Sequence, residues 1–296
     1  MSSDTAELSA VNTRDMSYAL SAETRLGQQV VRLTENLTGR LPVLYRLLGY
    51  DRDVAAGEAI WDVIWRRYRL SLNLVREPLE AIPATGPAIV VCNHPYGILD
   101  GITLGKLLWS RRSDFKIIAN AVFHTAPELR PFVLPIDFEG NRAAALRNIE
   151  TRRETLSWLD KGGLVAVFPG GAVASSPKAF ARPYDPDWKT FTAKMVTQSR
   201  APVIPVFFVG HNSQVFEVAG RVSPALRYGL HIHEFWRRIG TTVEVAIGKP
   251  VPKAQIDVLR DDPARLMTAL RRATYALSPE AADHGVDGPP LGRRWP

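Results

Sequence analysis

His94 and Asp100 are the two side chains whose types and spacing suit proton transfer. They lie in Val-Val-Cys-Asn-His-Pro-Tyr-Gly-Ile-Leu-Asp-Gly, residues 90–101. An imidazole held by a carboxylate through one ring nitrogen has a fixed tautomer, and its other nitrogen is left as a base. Such a base can strip the proton from an acceptor hydroxyl. The bland alternative is a turn in which Asp100 caps a helix and His94 is merely exposed. A second stretch, Gly162-Gly163-Leu164-Val165-Ala166-Val167-Phe168-Pro169-Gly170-Gly171, runs from an apolar segment into a glycine-rich turn. Glycines there let backbone N–H groups approach an oxyanion or phosphate closely. No Lys-Ser/Thr pair follows and no Gly-x-Gly-x-x-Gly opens a helix, so nucleotide P-loop and dinucleotide signatures are both absent.

The elements that would carry these residues follow from local pattern. The apolar run 88–92 reads as a buried strand, and Asn93-His94-Pro95 ends it because proline cannot continue a ladder. Gly97 permits a sharp turn, and Asp100 opens a helix over 102–109. Beyond the Pro/Gly linker 83–87, short apolar runs (88–92, 115–119, 132–136, 164–168, 203–209, 243–247) alternate with helical stretches (99–109, 143–159, 188–198). That alternation predicts an α/β fold with a largely parallel central sheet flanked by helices on both faces. Ligands in such sheets bind at the carboxyl ends of strands, where both 93–94 and 168–170 fall. An amphipathic helix over 263–277 closes the domain.

The expected organisation has three parts. Residues 1–82 form a polar, mobile N-terminus followed by a helical segment, 83–277 the α/β domain, and 278–296 a flexible Pro/Gly/Ala-rich tail. Within the first part a helix spans 22–48 with a break at Pro42. A second spans 59–75, with Trp61, Ile64, Trp65, Tyr68, Leu72 and Val75 at three- and four-residue steps. Tryptophans beside arginines suit a membrane interface, and packing on the main domain suits the pattern equally.

The 296 residues carry 37 basic and 30 acidic side chains, a net charge of +7, with 46% hydrophobic residues. The excess sits largely in scattered arginine pairs, which favours an anionic membrane surface or a phosphorylated co-substrate over nucleic acid. The single cysteine, Cys92, excludes an internal disulfide and any Cys-based metal cluster. As a residue ending an apolar run it reads as packing rather than as a nucleophile. His231 and His233 alternate in a strand-like or loop segment with no third ligand, so no metal site is expected. No secretory leader and no run of about 18 apolar residues is present, which predicts a cytoplasmic protein peripherally associated with the inner face of the membrane.

Taken together, Asn93-His94 … Asp100-Gly101, Pro135-Ile136-Asp137-Phe138-x-Gly140, Phe168-Pro169-Gly170-Gly171 and Val203-Ile204-Pro205-Val206 resemble the glycerolipid acyltransferase family over about 83–252. The form His-Pro-Tyr-Gly-x-x-Asp-Gly is most similar to a bacterial branch that includes lysophospholipid and ornithine-lipid acyltransferases. The resemblance implies an O-acyltransferase moving a fatty acyl group from acyl-CoA or acyl carrier protein to a lyso-lipid hydroxyl, with no other cofactor. It implies His94 as general base and Asp100 as its orienting carboxylate. Asn93, Gly97, Phe168, Pro169, Gly170 and Gly171 would line the substrate site, with backbone N–H groups near Gly170 and Gly171 on the oxyanion. Arg142 and Lys189 would bind acceptor or coenzyme phosphate, and Pro205 would end a strand beside the acyl site. Two departures stand out: five residues separate His94 from Asp100 where the family has four, and Gly170 and Ala172 replace the glutamate and threonine of Phe-Pro-Glu-Gly-Thr. The missing glutamate argues for an acceptor other than lysophosphatidic acid. It also motivates a different class of function, a non-catalytic lipid- or membrane-binding protein on the same scaffold.

Overall fold

The structure is a computed structural model that describes residues 17–19, 22, 24–120, 127–136, 142–178 and 180–280, without the side chains of 142–145. Its centre, among the described residues, is a seven-stranded sheet: β1 (Ser71–Arg76), β2 (Ala88–Cys92), β3 (Phe115–Asn120), β4 (Val133–Ile136), β5 (Leu164–Val167), β6 (Val203–Phe208) and β7 (Thr242–Ile247). The order is β1-β7-β6-β2-β5-β3-β4, parallel throughout except where β6 meets β7. The largely parallel, helix-flanked α/β architecture is therefore as the alternation predicts. β2 makes the reason explicit. Ala88, Val90 and Cys92 enter one core and Ile89 and Val91 the other, so a strand covered on both faces reads as an unbroken apolar run.

The helices are α1 (Arg25–Thr38), α2 (Arg40–Leu47), α3 (Tyr50–Ala55), α4 (Ile60–Arg67), α5 (Ile98–Trp109), α6 (Arg142–Asp160), α7 (Phe191–Ser199), α8 (Gln214–Val222), α9 (Pro224–Arg237), α10 (Lys253–Val258) and α11 (Pro263–Tyr275). One sheet face is packed by residues of α2, α4, α5 and α9, the other by residues of α6, α7, α10 and α11.

Three expectations are corrected. The helix expected over 59–75 stops at Arg67. Arg69 takes a left-handed φ of 52°, and 71–76 become strand β1, paired in parallel with β7. Leu72 and Leu74 alternate with Ser71 and Asn73, a period of two that the bulky residues before them obscure. Because β1 completes the sheet and Trp61 and Ile64 lie in its core, the boundary placed at 83 does not divide the structure. The break in the first helical region falls at Gly39 (φ 146°), where a Cβ would sit 2.9 Å from Trp236 Cβ. Pro42 instead lies in the first turn of α2, where its missing N–H has no intrahelical partner to lose. Residues 1–16 of the expected mobile N-terminus and 281–296 of the expected tail lie outside the described residues.

Helix α5, which carries Asp100, is held against α4 by an unusually close contact. A Cβ on Gly105 would lie 2.0 Å from the Trp61 indole. Gly105→Ala is therefore expected to destabilise the fold by about 1–3 kcal/mol through overpacking, despite alanine's better helix propensity. Urea denaturation of the variant checks this.

Candidate active site

β2 delivers the site. Its last residue, Cys92, is fully buried, and its thiol is pushed well above the usual range by burial beside the Asp100 and Asp185 carboxylates. That disposes it to packing rather than to nucleophilic chemistry. Asn93 follows and is also buried. Its amide donates to Phe208 O (3.0 Å) and its carbonyl accepts from Phe208 N–H (2.7 Å). Asn93 thus extends the β2–β6 ladder by a side chain, and its polar atoms are occupied there rather than turned toward substrate as expected.

His94 comes next, with its side chain 18% exposed, and its Nδ1 lies 2.8 Å from Asp100 Oδ2. Gly97 brings the pair together. With φ 85° and ψ −107° it serves as N-cap of α5, and Asp100, at the third helical position, accepts the Gly97 N–H (2.9 Å). The same oxygen accepts from Tyr96 N–H (2.8 Å). A fully buried carboxylate fixed by two backbone donors cannot swing away, so it holds the imidazole rather than following it. A larger residue at 97 would be strained by the positive φ and crowded, with its Cβ 3.2 Å from Val173 Cγ2 and 3.3 Å from His231 Nδ1.

The glycine-rich turn arrives from β5, the neighbour of β2, in the register Val91↔Val167. Phe168 stacks on the His94 ring at 4.3 Å between centroids and 27° between planes. The loop is tied back by Ala174 N–H donating to His94 O (2.8 Å). Gly171 (φ 69°) donates its N–H to Phe168 O (3.0 Å). It is therefore spent within the turn, whereas Gly170 N–H has no backbone acceptor among the described residues. Of the two expected oxyanion donors, Gly170 is the one the geometry leaves. Pro169 O accepts from the N–H of Lys189, which places that residue beside the turn with an exposed side chain. Arg142 heads α6, and its side chain lies outside the described residues, as do Asp137, Phe138, Gly140 and Asn141. Pro205 lies inside β6 rather than at its end. Its carbonyl, accepting from Gly248 N–H, faces the β7 side just past the last paired residue. The donor that proline lacks thus falls where the antiparallel ladder has already stopped.

Asp185 is the residue that sequence reasoning missed. Fully buried, it accepts the His94 backbone N–H (2.9 Å) on one oxygen and the Trp188 indole N–H (2.9 Å) on the other. Its own N–H donates to Tyr275 Oη (2.8 Å), and its carbonyl accepts from Arg271 (3.0 Å). Burial pushes its carboxyl above the usual range, against these donors and the nearby positive charges. A Cβ on Gly170 would lie 3.3 Å from Pro186 Cδ and 3.4 Å from Asp185 Cβ, so this position packs on the 185–186 pair. The Asp-Pro pair at 185–186 reads locally only as a turn.

His231 and His233 lie on helix α9, not in a strand or loop. His233 Nδ1 lies 2.7 Å from the carbonyl of Thr38 at the end of α1. His231 is buried among Tyr18, Phe216 and Tyr228, and burial, aided by the positive fields of Arg227 and His94, lowers its pKa to about 3. Among the described residues no group of three or more His, Cys, Asp and Glu side chains is placed to hold a metal. Because the folded pKa of His231 lies below the unfolded value near 6.5, its neutral burial contributes stability above pH 6.5. That contribution is lost as pH falls toward 3, with a slope approaching tenfold in the folding equilibrium per pH unit. His231→Phe is expected to flatten the slope between pH 6 and pH 4 in denaturant titrations.

The chain is similar to known acyltransferases. Two curated relatives are lyso-glycine lipid O-acyltransferases. The protein from Bacteroides thetaiotaomicron is 28% identical over 208 residues, 67% of this chain and 73% of that one. The protein from Phocaeicola vulgatus is 27% identical over 207 residues, 67% and 71% of the two chains. Among solved structures, the 1-acyl-sn-glycerophosphate acyltransferase PlsC of Thermotoga maritima matches with a TM-score of 0.43 at 16% identity, covering 71% of this chain and 76% of that one. Residues 56–253, more than half of the chain, match the family model described as Acyltransferase, and the chain belongs to that family.

Proposed function

We propose that the protein is an O-acyltransferase that moves a fatty acyl group from the thioester of acyl-CoA or acyl carrier protein to a hydroxyl of a lyso-lipid. The observation that carries this reading is the His94–Asp100 pair, with Nδ1 anchored by a buried carboxylate that two backbone donors immobilise. Nε2 is then the free nitrogen and takes the proton of the acceptor hydroxyl as its oxygen attacks the thioester carbonyl. The tetrahedral oxyanion forms within reach of the Gly170 N–H, a donor of the kind that stabilises such charge. The C–S bond breaks, and the departing thiolate recovers the proton from the imidazolium. No acyl-enzyme is formed, in keeping with the buried Cys92.

Acceptor choice rests on different ground. Gly170 stands where a phosphate-positioning glutamate is expected, and the curated relatives act on lyso-glycine lipids. A lyso-lipid with an amino-acid head, lyso-glycine lipid first, is the acceptor this favours over lysophosphatidic acid. The enzyme would work peripherally at the inner face of the membrane; no described helix is long and apolar enough to cross one. The test is transfer of a radiolabelled acyl group from acyl-CoA and from acyl carrier protein to a panel of lyso-glycine, lyso-ornithine and lyso-phospholipids. Transfer to none of them by folded protein overturns the reading in favour of a lipid-binding scaffold.

A further inference from the structure

One short segment, 185–189, touches both halves of the candidate site. Asp185 Oδ1 accepts the backbone N–H of His94 just beyond the end of β2 (2.9 Å). Pro186 packs on Gly170, where a Cβ would lie 3.3 Å from its Cδ. The N–H of Lys189 donates to Pro169 O (3.0 Å) in the turn that leaves β5. The segment therefore bridges the general base and the turn that carries the Gly170 N–H. An acyl transfer needs those two groups held at a constant separation.

Asp185 is the fixed point of this brace. Its Oδ2 accepts the Trp188 indole N–H (2.9 Å), its own N–H donates to Tyr275 Oη (2.8 Å) and its carbonyl accepts from Arg271 (3.0 Å). Tyr275 and Arg271 both belong to α11, so the brace is pinned to a helix packed on the sheet. Burying a whole carboxylate is costly when an amide or hydroxyl oxygen could accept the same N–H. Each of its oxygens receives an N–H, and His94 and Arg271 add positive field. All of these favour the charged form against the burial that opposes it. The other titratable groups around the pair are Asp100 on α5, His231 on α9, Tyr275 on α11 and the Cys92 thiol of β2. Of these, only Asp100 supplies negative charge to His94, and it is engaged at Nδ1.

We propose that Asp185 is a positioning residue for acyl transfer, holding His94 at a set distance from the Gly170 N–H and adding a second buried negative charge that favours the imidazolium. This rests on the acyl-transfer reading of the His94–Asp100 pair. The imidazolium exists only between proton removal from the acceptor and proton return to the thiolate. A fixed negative group near it therefore acts on the barrier rather than on substrate binding. Because Asp185 is fully buried with both carboxylate oxygens bonded, its replacement should appear in kcat and leave KM unchanged.

The test uses the full chain with ¹⁵N-labelled imidazoles, the His94 signals being those missing from His94→Ala. Asp185→Asn keeps an acceptor for the His94 N–H and loses the charge and the Trp188 bond. Its His94 titration midpoint is expected to fall by about 0.5–1 pH unit. Its kcat is expected to fall about 10- to 30-fold, with KM for donor and acceptor within about twofold of the parent. Trp188→Phe keeps the charge but frees one oxygen, and is expected to lower kcat about three- to tenfold with the midpoint little moved. An unmoved midpoint or a parental kcat in folded Asp185→Asn overturns the proposal. So does a loss of activity that only matches the loss of folded protein by circular dichroism. If Asp185→Asn does not fold, Trp188→Phe decides, and a parental kcat there overturns the proposal. The titration needs no turnover. Absence of acyl transfer in the parent therefore strikes the proposed function, whereas an unmoved midpoint strikes this role of Asp185.

Discussion

Replacing His94 by alanine is expected to lower kcat about 10²–10⁴-fold, the usual worth of a positioned general base. A base acts only as the proton moves, so kcat and kcat/KM should fall together and KM should stay nearly constant. The fold should survive. The ring is partly exposed and leans on Phe168, while the polar anchors at this position, N–H to Asp185 and O from Ala174, belong to the backbone and remain. The measurement is single-turnover acyl transfer alongside the melting temperature. Near-normal transfer by a correctly folded His94→Ala protein would remove the imidazole from the mechanism.

Asp100→Asn is expected to cost roughly 10³-fold in kcat, because neutralising the orienting partner of a catalytic imidazole undoes its tautomer as well as its charge. Asp100 Oδ2 receives three N–H groups, from His94, Tyr96 and Gly97, and the other oxygen is buried with no partner. An asparagine that keeps its carbonyl toward the backbone donors retains the turn but no longer stabilises the imidazolium. One that turns its NH₂ toward His94 forces the proton onto Nε2, where the base is needed. Asp100→Ala goes further and strands two buried backbone N–H groups, with a stability loss of about 2–6 kcal/mol. Comparing the two variants separates charge from scaffolding. Equal activity losses with very different urea midpoints would show that the carboxylate acts on chemistry as well as on the turn, whereas a fully active Asp100→Asn protein would reduce Asp100 to a helix cap.

The helix expected over 59–75 illustrates where local pattern runs out. Three- and four-residue steps from Trp61 to Tyr68 are truly helical, but Leu72 and Leu74 belong to a different period and bond to β7, some 170 residues later. Short apolar stretches satisfy both periods, and only the presence of a partner strand decides between them. His231 teaches the same lesson from the other side. Alternation with His233 suggests a strand, while the helix that carries them exists because α1, α8 and the catalytic turn supply its packing.

The parallel sheet and the His94–Asp100 pair were legible in the amino-acid sequence because each leaves a local signature there. Runs such as 88–92 encode burial on two faces, and a strand, a glycine turn and a helix start bring a histidine and an aspartate six positions apart into contact. What the tertiary structure alone decided is where each polar group's bonding capacity goes. Asp185 reaches His94 across 91 residues, Asn93 is claimed by Phe208 across 115, and Gly171 spends its N–H inside its own turn. A hydrogen-bonding group's chemistry is written in its residue type, but whether that capacity is spent on the scaffold or left for a substrate depends on which distant groups the fold brings within 3 Å.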